Sequence, residues 1–158
     1  MRPWLLAALL VALNAHGACR ESTPALNSMT GAELTLEGPA GQAVRLRVRV
    51  ADDNTELAGG FQYVCPDTIA KTSIYFVFDH PLHPTFHMHN VEAPLDIAFI
   101  DADGVIVNIQ RMEPYVLGAA HYRYYSPPGE VTAALETRAG YFAEKQVTVG
   151  DWKVEASR

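Results

Sequence analysis

The 158-residue chain lacks the short signatures that announce many enzymes. It has no Gly-x-Ser-x-Gly elbow, no glycine-rich phosphate loop and no His-Glu-x-x-His pair, so nucleophilic-serine, nucleotide and zinc-protease chemistry are without their usual local geometry. Positive charge is scarce: 12 Lys and Arg stand against 18 Asp and Glu, a net charge of −6, which does not support a nucleic-acid footprint. Cysteine is limited to Cys19 and Cys65. No repeat or low-complexity block is present, and no apolar run beyond residue 18 is long enough to cross a bilayer.

What is present begins at the N-terminus. Arg2, an apolar run from Trp4 to Leu13 and the small, polar stretch Asn14 to Cys19 follow the order of a secretory signal, and the run is too short to span a membrane as a helix. Residues 1–18 are therefore expected to be a signal peptide, and the protein to be exported to the periplasm. Ala15-x-Gly17 suits ordinary cleavage. Gly17-Ala18-Cys19 resembles the end of a lipobox, with His16 where Leu is usual, and would leave a lipidated Cys19 as the anchor. If Cys19 is lipidated, Cys65 has no partner; if not, a bridge between them would close a long loop. Because Cys19 lies in an apparent tail, Cys65 reads instead as a small buried hydrophobe. Residues 19–32, rich in Ser, Thr, Asn and Gly, read as a flexible tether, leaving 33–158 as one domain.

Within that domain the pattern is mostly β. Glu33 to Glu37 alternates weakly, whereas Val44 to Val50 alternates cleanly between aliphatic residues and Arg45, Arg47 and Arg49, as a strand with one core face and one solvated face does. Asp52 to Gly60 has the polar start and paired-glycine stop of one or two helical turns. Ser73 to Phe78 is a β-branched and aromatic strand, while Pro81 and Pro84 make Asp79 to Pro84 a loop. Strands follow at Thr85–Asn90, Leu95–Ile100 and Val105–Gln110, the last two joined by an Asp101–Gly104 turn and apolar enough to lie at the core's centre. A long loop from Met112 to Gly129 carries Tyr115, Tyr122, Tyr124 and Tyr125. Val131–Glu136 is a strand and Ala139–Lys145 a short helix, and Val147–Val149 and Trp152–Val154 close the domain. The expected fold is mainly β: a small antiparallel barrel-like or sandwich domain with one or two short helices.

Two places invite chemistry. On a strand His87 and His89 share one face, and such a His-x-His pair can chelate zinc, or copper if Met88, Met112 or Cys65 adds a soft donor. His80, His83 or His121 would supply a third nitrogen, and Glu92 or Asp96 an oxygen. Otherwise both imidazoles make ordinary hydrogen bonds. Asp96 sits between Leu95 and Ile97 in an apolar strand, where an unpaired carboxylate costs several kcal/mol. It either caps backbone amides around Asn90 and Pro94 or serves as a ligand-orienting group or general base.

The motifs together resemble the domain of unknown function 192 family, also called uncharacterised protein family 0127. The resemblance rests on Phe86-His87-Met88-His89-Asn90-Val91, then Pro94-Leu95-Asp96-Ile97-Ala98-Phe99-Ile100-Asp101 and Gly104, with Phe76-Val77-Phe78 before them. Tyr125-x-Pro127-x-Gly129, Ala139-Gly140-Tyr141-Phe142 and Val149-Gly150-Asp151 follow. His87, His89 and Val91 stand where the family has Trp, Lys and Thr, and Gly60-Phe61-Gln62 replaces a Gly-Leu-Met segment. The resemblance implies a compact, barrel-like β domain and no established activity, cofactor or substrate. The expected function is an exported ligand-binding or accessory module, its ligand site formed by His87, His89, Asn90, Asp96 and Tyr125 beneath the tyrosine loop. The rivals are a periplasmic copper or zinc protein working through His87 and His89, and a small hydrolase using Asp96 with a histidine.

Overall fold

A computed structural model of the chain describes residues 19–116, 118 and 121–156; the signal-like segment 1–18 lies outside them. The alternating run Val44–Val50 forms the middle of β2 (Ala43–Ala51), with Leu46 and Val48 buried and the three arginines exposed. β2 pairs antiparallel with β1 (Thr30–Glu37), where Glu33 stands opposite Arg47, so the arginine row is a solvated face with an acidic neighbour. β1 continues to β9 (Lys153–Ala156). On its other side β2 runs parallel to β3 (Ile74–Leu82), and β8 (Val131–Arg138), β5 (Leu95–Ile100) and β6 (Ile106–Met112) complete a seven-stranded sheet of order β6-β5-β8-β3-β2-β1-β9.

The sheet curls until its two ends touch. Val105 and Lys153 form a bridge, the Ile106 N–H donates to the Trp152 carbonyl (2.9 Å), and the Val154 N–H donates to the Gly104 carbonyl (2.8 Å). The result is a mainly β domain, as the strand pattern implied, and a barrel-like one, as the family resemblance implied. Asp101 makes that closure possible by folding the β5–β6 turn: Oδ1 accepts from the Asp103 and Val105 amides (3.0 and 2.9 Å), and Gly104 takes φ 76°.

Both sheet faces are buried in the middle, and the period of two sorts them. Leu95, Ile97 and Phe99 of β5 join Ile74, Phe76 and Ala134 under the short helices α1 (Pro24–Ser28), α2 (Asn54–Gly59) and α3 (Pro66–Ile69). Ala98 and Ile100 face the inside of the curl with Leu34, Leu36, Leu135, Trp152 and Phe142, the last from α4 (Tyr141–Glu144). All six β5 residues are buried, but β6 is an edge strand with only Ile106 and Met112 buried, so only half of the hairpin is central.

Other expectations need correction. The 19–32 segment is not a loose tether: Thr23 caps α1 through its hydroxyl, Leu26 and Met29 enter the core, and β1 begins at Thr30. Cys19 and Cys65 form a disulfide, so Cys65 is not a free buried thiol. Beside it the Arg20 N–H donates to the Tyr63 carbonyl and the Cys65 N–H to the Arg20 carbonyl, both at 2.8 Å. Asp79 to Leu82 stay in β3 despite Pro81, because the register with β8 breaks between Val77 and Leu82 and Pro81 owes the ladder no hydrogen bond there. The Thr85–Asn90 strand shrinks to β4 (Phe86–His87), paired only with β7 (Tyr124–Tyr125). Val147–Val149 is no strand, although Val147 is buried.

Candidate functional site

β4 and β7 bring the expected histidines and tyrosines to one end of the molecule. The His87 and His89 rings lie 6.3 Å apart edge to face, and the His89 N–H donates to His87 Nδ1 (3.3 Å). His89 also packs edge-on to Tyr115 (6.2 Å), which stacks on Tyr122 (4.5 Å). No three His, Cys, Asp or Glu side chains converge as a metal-binding group among the described residues. The soft donors are removed as well: Met88 and Met112 are buried in the core and Cys65 is oxidised. The histidine pair therefore lacks the third donor on which the metal reading depends.

Asn90 and Tyr125 hold the scaffold. Asn90 adopts φ 57°, its carbonyl accepts from the Tyr63 N–H (2.7 Å), and its amide donates to Gln62 Oε1 (3.3 Å). The Tyr125 ring is buried and its hydroxyl accepts from the Glu113 N–H (3.0 Å). The Asp96 carboxylate is buried but fully engaged: Oδ1 accepts from Arg111 Nε, and Oδ2 from the Gly140 N–H (2.7 Å). It caps the turn into α4 rather than amides near Asn90, and the bond raises the Arg111 pKa above its usual value. None of its partners is a histidine, so the acid–base pair of the hydrolase reading is not formed. Cys19, the expected lipidation site, has its sulfur in the disulfide, and a sulfur so bonded cannot carry a thioether-linked lipid.

The structure draws attention instead to Glu136, which the sequence reading passed over. β8 lies between β5 and β3, and Glu136 is flanked in register by Ile97 and Ile74. It is only 5 % exposed, and no donor among the described residues reaches its carboxyl. Desolvation pushes its pKa up to about 8. The carboxyl lies on the wall of an open cleft of about 230 Å³, which Phe61, Phe76, Phe78, Phe86 and His87 also line. α2 stops directly above: a methyl group added at Gly60 would lie 4.0 Å from Glu136 Oε2 and 3.6 Å from the Phe76 ring. Phe86 is held edge-on between Phe76 (5.1 Å) and Phe99 (5.7 Å), which fixes the far wall. The signal available in the sequence was a lone carboxylate sharing strand parity with Ala134, a cue weaker than Asp96 flanked by Leu and Ile.

Fold and cleft thus define a small, curled-sheet β domain with a carboxyl-bearing aromatic cleft on its helix-covered face. The chain belongs to the domain of unknown function 192 family, described as "Uncharacterized ACR", whose model matches residues 18–154. Two solved structures share the fold. A proposed transcription regulator from Sinorhizobium meliloti 1021 is 25 % identical with a TM-score of 0.70, over 82 % of this chain and 95 % of that one. A protein of unknown function from Novosphingobium aromaticivorans DSM 12444 is 24 % identical with a TM-score of 0.66, over 85 % and 98 %. No curated protein matches the chain.

Proposed function

We propose that the protein is an exported small-molecule binding module whose site is the cleft beside Glu136. One observation carries this reading: a carboxyl that the fold has desolvated and left without a donor sits on the wall of an open, aromatic-lined cleft. Burying such a group disfavours the folded state, and a ligand bringing its own donor would offset the loss. Export is supported by the charged, apolar, small-residue order of residues 1–18 and by the Cys19–Cys65 bridge, which suits an oxidising compartment. With that sulfur bonded, the form proposed is free in the periplasm. The regulator label of the Sinorhizobium relative is not carried over, because a net charge of −6 opposes approach to nucleic acid.

Thermal shift with 2-phenylethylamine, 2-phenylethanol and 3-phenylpropionate tests the site without presupposing the ligand's charge. At least one probe should raise the melting temperature of the native protein, and raise it less in Ala58→Phe. That substitution adds bulk at an exposed helical position on the cleft wall. No shift with any probe, or equal shifts in both proteins, would remove the cleft as the binding site.

A further inference from the structure

The chemistry of the cleft narrows the ligand class. Resting on the binding reading above, we propose that the cleft takes a small organic ammonium ion, its apolar body among the phenylalanine rings and its charged nitrogen on the Glu136 carboxylate.

Five features converge on a cation. Among the described residues no protein donor reaches the Glu136 carboxyl, which meets the solvent of the open cleft, so a ligand N–H can take the place of water there. Among the described residues no Lys or Arg lines the cleft, and His87 is the one other titratable side chain that does. In the sheet Glu136 is flanked by Ile97 and Ile74, Gly60 and Phe76 close over it, and Arg138, two residues along on the same side of β8, is paired with Glu144. Phe61, Phe76, Phe78 and Phe86 line the cleft with aromatic surface, which packs an apolar body and suits a cation better than an anion. The chain's net charge of −6 favours approach of cations. An acidic ligand would set two carboxyl groups side by side, and a neutral one would gain a hydrogen bond with the carboxyl but not the stronger charge-assisted one.

Size agrees as well. A cleft of about 230 Å³ suits an amine of roughly ten non-hydrogen atoms, below the drug-sized range of pockets. Binding must also move a proton. Desolvation holds the Glu136 carboxyl protonated up to about pH 8; when R–NH₃⁺ binds, the carboxyl O–H bond breaks, the proton passes to solvent, and the carboxylate pairs with the ammonium. Affinity should therefore climb about tenfold per pH unit below pH 8 and level off above it.

Isothermal titration of the disulfide-intact protein with 2-phenylethylamine between pH 6 and 9, in two buffers of different ionisation enthalpy, tests this directly. The expected result is release of about one proton per amine at pH 6.5, with the tenfold-per-unit rise in affinity and a clear preference for the amine over 2-phenylethanol and 3-phenylpropionate. Glu136→Gln should abolish both the slope and the preference, whereas His87→Gln, which alters the cleft wall and so the affinity, should still show the tenfold-per-unit slope. The native protein's own pH slope decides the matter even if Glu136→Gln does not fold. Binding of the alcohol or the acid as tightly as the amine, or a flat pH profile, overturns the ammonium proposal while leaving the cleft as a binding site. Loss of the slope in His87→Gln but not in Glu136→Gln overturns it too. If no probe binds at any pH, both readings fall.

Discussion

At the scale of single residues, two buried carboxyls have opposite fates because of what surrounds them. Asp96 has a guanidinium and a backbone amide; Glu136 has neither. Glu136 keeps its proton up to about pH 8 when folded, against 4.5 for its ordinary value. Between those limits the folded chain binds more protons than the unfolded one, so stability must fall as pH rises, by about 1.4 kcal/mol per unit for this group. Urea midpoints should show native protein losing stability relative to Glu136→Gln from about pH 5 to 8. A constant difference between the two proteins across that range would mean the carboxyl ionises normally. Arg111→Ala strips Asp96 of its charged partner and should cost about 1–3 kcal/mol, discounted because the arginine is half exposed. An unchanged urea midpoint would show that solvent replaces the arginine. Asp96 was singled out from sequence because Leu95 and Ile97 flank it; that it would need a partner or an opening to solvent was legible, but Arg111 and Gly140 are distant in the chain and were not.

At the scale of elements, strand and turn chemistry was readable where the local signal was strong. Leu95–Ile100 matches β5 at both ends, and Asp53 caps α2 by accepting from the Thr55 and Glu56 amides as the polar start of that segment implied. Local rules failed where a neighbour overrode them. Pro81 remains in β3 because a register shift removes the demand for its missing N–H, and the Ser- and Thr-rich tail folds because a disulfide and a core position for Met29 hold it. Gly38 is a tight junction of a different sort: a methyl group there would lie 2.6 Å from the buried Trp152 ring. Gly38→Ala should cost about 1–3 kcal/mol, measured by urea unfolding, since the ring is packed between β9 and the inner core. A loss below a few tenths would mean that Trp152 yields.

At the scale of the whole molecule, the Cys19–Cys65 bridge ties the N-terminal segment to the α2–α3 region across 46 residues. Closing a loop of that length in the unfolded chain should stabilise the fold by about 2–4 kcal/mol. Reductant should lower the urea midpoint accordingly, and the intact mass of oxidised protein should show the loss of the two thiol hydrogens and no acyl group. Equal midpoints with and without reductant, or an acylated N-terminus, would contradict this. By itself the sequence determined the class of fold, because alternation of apolar residues dictates strands and which side of each is buried. It also determined the family, because the Phe86–Asp101 block is local and contiguous. The curl, the bridge and the site were decided only in three dimensions. Nothing in the Val131–Glu136 strand pattern marks the side shared by Thr132, Ala134 and Glu136 as covered; only the packing of α2 and Phe76 over that side turns Glu136 into the buried carboxyl of a cleft. Desolvation depends on what covers a residue, and no pattern along one strand carries that information.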